Sequence, residues 1–309
     1  VGGVLKNLGA DPATARKAWV FLLFNPLLLY CGAAWGQIDA LVALGSLAAL
    51  VLLTRERRDG SAGLLALAIA VKPTALPILP VALVYLAGRF LGRAVRYAVV
   101  FAVGAAVFAV LPFVVFGWDP TRVVRHLNAH FVMTGTMSWM TVVRLFRDPL
   151  LMQGHWWLLG LLWIPALAVA AVFALRRGVG GFDDLVKKST ALVLVFFLTR
   201  TWLAEPNVIL VLPVALILTS LGELDRRALT AVWVIPLLFT VFNASPLQLL
   251  FVAFPDAMEA SLAVFARYES TTLIVRAALV IAWQAAGWWV VASCLRRAPA
   301  LARGPIGWS

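Results

Sequence analysis

Residues 97–116, YAVVFAVGAAVFAVLPFVVF, run without a charged side chain for the length of a bilayer. An α-helix needs about 20 apolar residues to cross roughly 30 Å of hydrocarbon. The run is solid Val, Ala, Phe and Leu, without the polar–apolar alternation of a transmembrane barrel strand. A helix is the remaining choice, because it satisfies each backbone group within one segment. Working outward, comparable runs lie near 18–34, 37–53, 156–175, 190–203, 207–221, 228–244 and 272–294. Together they predict an all-α polytopic transmembrane bundle of about eight full spans. The segment 1–309 reads as a single transmembrane domain.

Between the second and third runs lies 61–87, interrupted by proline. At Lys72-Pro73 the proline removes a donor and disfavours the helical conformation of Lys72. Two half-helices, 61–71 and 74–87, are predicted to meet there as a hairpin. That reading also orders the charges. With a hairpin, Arg16 and Lys17, Arg55, Arg57 and Arg58, Arg89, Arg93 and Arg96, and the later basic pairs all fall on one side, which marks it as cytoplasmic. A straight span would put basic loops on both sides.

Composition agrees. Of 309 residues 63% are hydrophobic and 13% charged, and the mean hydropathy is +0.95. Soluble domains carry about 25% charged residues. The net charge of +12 sits in short clusters between apolar runs, not along one polar face, so topology explains it and nucleic acid is not expected as a partner. Cys31 and Cys294 fall in or beside apolar runs and make neither a disulfide framework nor a CxxC site.

An ionisable residue at membrane depth costs about 2.5–3.5 kcal/mol on insertion scales and marks a candidate site. Asp39, in WGQID at 35–39, stands beside Gln37 near a flexible glycine. The pair suits hydrogen bonds to sugar hydroxyls or an oxygen-ligated divalent cation. Asp39 can equally cap the helix that follows. Lys72, with Thr74 nearby, can hold a lipid phosphate at the broken helix, or can snorkel to the interface. In the turn 199–207, TRTWLAEPN, Arg200 can meet phosphate while Glu205 and Asn207 shape a sugar or acceptor pocket. Arg200 and Glu205 are also close enough to pair with each other.

The loop 117–155 holds Trp118, His126, His130, Trp139 and His155, which suits either an interfacial amphipathic helix or an ordinary connection. His126 and His130 stand one helical turn apart with no third metal ligand at a diagnostic spacing. A contact with phosphate or with the headgroup layer is the reading they support. No metal site is assigned, and the one cofactor left open is a divalent cation. HExxH, GxSxG, Walker and dinucleotide motifs are absent, so hydrolase, ATPase and dehydrogenase readings have no residues to rest on.

Three stretches in order, FNPLLLYCGAAWGQIDAL at 24–41, LALAIAVKPTALPILP at 65–80 and FFLTRTWLAEPNVILVLP at 196–213, resemble the GT-C superfamily of polyprenyl-phosphate-sugar-dependent glycosyltransferases. Bacterial and archaeal mannosyltransferase-like members and the dolichyl-phosphate-glucose glucosyltransferases are similar. The resemblance spans 18 to 221 and rests on the order and sidedness of short motifs. It implies a hexosyltransferase in a prokaryotic plasma membrane, with its site facing outside. The donor implied is a polyprenyl-phosphate sugar, mannose-like, and the acceptor a lipid or glycan. Lys72 and Arg200 would hold the phosphate, and Gln37, Asp39 and Glu205 would line the sugar or acceptor site. In that superfamily the catalytic Asp lies in the first outer loop, and no residue here matches it, so upstream helices and that loop are expected to precede Val1. The rivals are a secondary transporter, for which the halves show no internal repeat, and a flippase for lipid-linked sugars.

Overall fold

The computed structural model describes residues 1–122, 135–146, 159–243 and 254–296. Local chemistry sets the helix starts. After α1 (Gly2–Asn7), Asp11 Oδ1 accepts the N–H groups of Ala13 and Thr14, each at 2.9 Å, and Pro12 opens α2 (Pro12–Leu23). Asn25 repeats the device for Leu27 and Leu28 at 3.1 and 3.2 Å and starts α3 (Pro26–Leu29). That helix runs into a single π-turn, Tyr30–Ala34. Gly36, at φ +68°, turns the chain into α4 (Asp39–Thr54).

The chain returns through α5 (Arg58–Val71) and breaks at Lys72, whose backbone is extended at φ −156°. A 3₁₀ turn (Pro73–Ala75) and α6 (Ile78–Ala87) complete the hairpin, so its second half starts four residues later than 74. Next comes α7 (Leu91–Phe116), longer than the predicted run because it takes in Arg93 and Arg96. After α8 (Met140–Val143) and α9 (Trp163–Leu175), α10 (Phe182–Thr199) crosses the middle of the bundle. A 3₁₀ turn (Glu205–Leu210) leads to α11 (Leu212–Ser220), followed by α12 (Arg226–Val241), α13 (Pro255–Arg267) and α14 (Glu269–Leu295). The strand component among the described residues is one parallel pair, β1 (Gly135–Thr136) with β2 (Trp202–Leu203). It was not predicted, because two-residue strands leave no periodicity to read.

Two helices show what the bundle is built for. In α10, Leu185, Val186 and every residue from Ala191 to Leu198 are buried, so the second half of the helix is apolar and enclosed on all sides. In α7, Val95, Val99, Val103, Val107, Val110, Leu111 and Val114 stand exposed along its length. An apolar face of that extent is untenable in water and natural in lipid. Helices approach closely where side chains are small. Gly104 of α7 lies over Ala66 of α5, and Gly287 of α14 lies over Leu198 of α10, where an added Cβ would come within 2.6 Å of a leucine methyl.

Among the described residues three helical stretches are long and apolar enough to cross a membrane: Pro12–Ala34, Leu91–Phe116 and Glu269–Leu295. The first carries the break at Asn25-Pro26. Fewer stretches qualify than the predicted spans because other runs end early. Asp39–Thr54 has 16 residues, or about 24 Å at 1.5 Å per residue. The run 190–203 is divided between the end of α10 and β2, and 207–221 between a 3₁₀ turn and α11.

Candidate functional site

The three helix breaks meet at one end of the bundle. The Glu205–Leu210 turn packs against α4, against α3 and against the Pro73–Ala75 turn. Tracing each helix from this end brings the chain to Arg55, Arg89, Arg176 and Arg296 at the other.

Asp39 and Lys72 form the first feature. Lys72 Nζ donates to Asp39 Oδ1 at 2.7 Å and to Oδ2 at 2.8 Å. The carboxylate is 1% exposed and the lysine side chain 23%. Neither simpler alternative holds. Asp39 is the first residue of α4 rather than its cap, and Ile38, which occupies the cap position, makes no side-chain capping bond. Lys72 turns to the carboxylate instead of snorkelling, because the proline break leaves its backbone extended beside α4. Gln37 is half-buried, and its backbone N–H donates to Cys31 O at 2.9 Å. Thr74 is buried, and its hydroxyl has no partner among the described residues.

Glu205 forms the second. It is fully buried, and its Oε1 accepts from Asn243 Nδ2 at 2.7 Å. Among the described residues its Oε2 has no partner, and neither amide atom of Asn207, two residues along the same turn, has one. The pairing of Arg200 with Glu205 does not form. The chain leaves α10 extended at Arg200, and the guanidinium lies 5.0 Å from the centre of the Phe196 ring. Cys31, in the π-turn, lies within electrostatic range of Asp39, Lys72 and Glu205, so the two features share one neighbourhood.

The segment 135–146 closes over this turn. Met137 N–H donates to Leu203 O at 3.0 Å, and Ser138 Oγ donates to Thr201 O at 2.5 Å. Met137, Ser138, Met140 and Thr141 are buried. This part of the loop 117–155 is therefore folded into the bundle and does not lie along an interface as an amphipathic helix. His126, His130 and His155 lie outside the described residues.

Two residues were missed. Asn243, just past α12, holds Glu205, and Arg276 of α14 lies within electrostatic range of both Glu205 and Arg144. Arg276 was legible, since it is a charge inside the run 272–294 and meets the same cost argument as Lys72. Asn243 gave no such signal. The region beyond 221 thus contributes as well, because α12 and α14 bring polar groups to this end.

Among the described residues no three His, Cys, Asp or Glu side chains gather as a metal would require. What the arrangement offers is hydrogen-bond capacity at low dielectric. A buried polar atom without a partner costs about 1–3 kcal/mol. Glu205 Oε2, Asn207 and Thr74 carry that cost at one end of an apolar bundle, next to a lysine. Ligand hydroxyls are suited to take up such atoms, and cations nearby suit a phosphate.

The class follows from the family match and not from this geometry alone: the chain is a membrane glycosyltransferase of the GT-C type. The family model for Glycosyltransferase family 87 matches residues 2–206, which include Asp39, Lys72, Arg200 and Glu205, and the chain belongs to that family. Comparison with curated proteins and with solved structures finds no match.

Proposed function

We propose that the broken-helix end is the transfer site, and that the enzyme moves a mannose-like hexose from a polyprenyl-phosphate donor to a lipid-linked or glycan acceptor. The observation that carries this reading is the fully buried Glu205, with one oxygen held by Asn243 and the other without a partner among the described residues, in one neighbourhood with the Asp39–Lys72 pair. In an inverting transfer the acceptor oxygen bonds to the anomeric carbon as the bond to the phosphate oxygen breaks. The electron pair departs with the polyprenyl phosphate, and the acceptor proton passes to a general base. The departing phosphate needs positive charge near it. Lys72 supplies it, with Arg200 as a second cation, while Gln37, Asp39, Glu205 and Asn207 line the sugar or acceptor site. No residue described here is assigned as the base.

The same reading makes the chain a multi-pass protein of about eight spans in a single transmembrane domain, its shorter helices crossing alongside the three long ones. The arginine-rich end then faces the cytoplasm and the transfer site the outside. Transfer from defined polyprenyl-phosphate sugars by the Lys72→Ala variant, reconstituted in proteoliposomes, tests it. Loss of transfer with normal membrane insertion is expected, and unaltered transfer would remove Lys72 from the site.

A further inference from the structure

The end of the bundle far from that site holds a cavity of about 750 Å³, between the α4–α5 turn and the start of α7. Arg57, Arg58, Arg93 and Arg96 line it, and Arg89 joins them through Glu56. The carboxylates facing these guanidinium groups are Glu56 and Asp59. Glu56 is shared by Arg58, Arg89 and, at 4.0 Å, Arg93, while Asp59 is engaged by Arg96. Five cations against two anions leave a positive surplus. Among the described residues Arg57 has no carboxylate at ion-pairing distance and the buried Arg58 Nε has no partner. Within this turn Glu56 sits at φ 59°, rare for a residue with a Cβ.

The walls of the cavity say which anion. Phe90 lines it at 64% exposure, and directly below, Leu91, Val95 and Val99 begin the apolar face that α7 turns to lipid. Behind them Tyr97 is buried and hydrogen-bonded to Ser61 at 3.1 Å, which makes a firm floor. A ligand that fits has an anionic head among guanidinium groups and hydrocarbon running down α7. Guanidinium groups match phosphate oxygens two at a time. We propose that this cavity binds the headgroup phosphate of an anionic phospholipid in the leaflet at the arginine end.

The proposal is independent of the transfer reaction and uses none of its residues. Its test is native mass spectrometry of the full chain, released from nanodiscs of equal phosphatidylglycerol and phosphatidylcholine. Wild type is expected to retain phosphatidylglycerol in preference, and the Arg57→Gln/Arg93→Gln double variant to lose at least about tenfold of that preference. Arg226→Gln/Arg227→Gln removes the same charge at the same end outside the cavity and is expected to keep the preference. Arg57→Lys/Arg93→Lys guards against misinsertion, since it keeps the charge but not the fork, and an intermediate loss is expected. Equal losses in the two glutamine variants would mean diffuse attraction and overturn the pocket. No preference in wild type would also overturn it. Displacement of the lipid by millimolar inorganic phosphate, with no retention of acyl chains, would make it a free-phosphate site and overturn the lipid assignment.

Discussion

The two ends of this bundle carry charge in opposite ways. At the broken-helix end the carboxylates are buried, Asp39 at 1% and Glu205 at 0% exposure, and each is held by one partner among the described residues, Lys72 and Asn243. At the other end the arginines are partly or largely exposed, outnumber their carboxylates and share them. Water screens the second arrangement and excludes almost nothing from it. The first is held where the dielectric is low, so each partner matters more and each unfilled hydrogen-bond position is costly. Exposed, shared charge suits a surface that meets water and headgroups, whereas charge enclosed in the bundle is fixed by packing.

That contrast can be broken first at its strongest point. Lys72→Met leaves the Asp39 carboxylate buried and unpaired, and a loss of about 2–4 kcal/mol is expected, below the full value for a buried pair because Lys72 is partly exposed. Adding Asp39→Asn should recover much of that loss. Unfolding in detergent followed as a double-mutant cycle measures both, and additive losses would contradict a paired origin. Next in size, Asn243→Ala removes the donor from Glu205 Oε1 without touching the turn itself. A loss of about 1–3 kcal/mol is expected in the same assay. Gly287→Val probes the packing behind the site, since the new side chain meets Leu198, whose carbonyl accepts from Gln284 at 3.1 Å. Overpacking there should cost about 1–3 kcal/mol, and an unchanged midpoint would mean α14 moves freely against α10. The smallest effect belongs to the other end. Arg96→Ala breaks an exposed pair with Asp59 and should change stability by less than about 1 kcal/mol.

Sequence reading went furthest where one residue type has one physical meaning. Lys-Pro at 72–73 announced the break because proline leaves few conformations to the residue before it, and charge scarcity singled out Asp39, Lys72 and Glu205. It failed where the answer depends on which helices become neighbours. That Lys72 meets Asp39, 33 residues away, and that Glu205 turns to Asn243 rather than Arg200, follows from packing between segments that no local pattern encodes. Span boundaries shifted for a related reason. Hydropathy cannot see that an apolar run ends in a 3₁₀ turn at 205–210, or that 202–203 pairs with 135–136 as strand.

The central claim is that Glu205 and its neighbours, not the arginine cluster, handle the sugar. Transfer rates of Glu205→Gln and Arg93→Gln, measured side by side in proteoliposomes with a polyprenyl-phosphate sugar, test it most directly. The Glu205 variant is expected to lose about 10²-fold or more of its turnover at normal insertion, while the Arg93 variant stays near wild type. Full activity in Glu205→Gln, or an equal loss in both, would contradict the account.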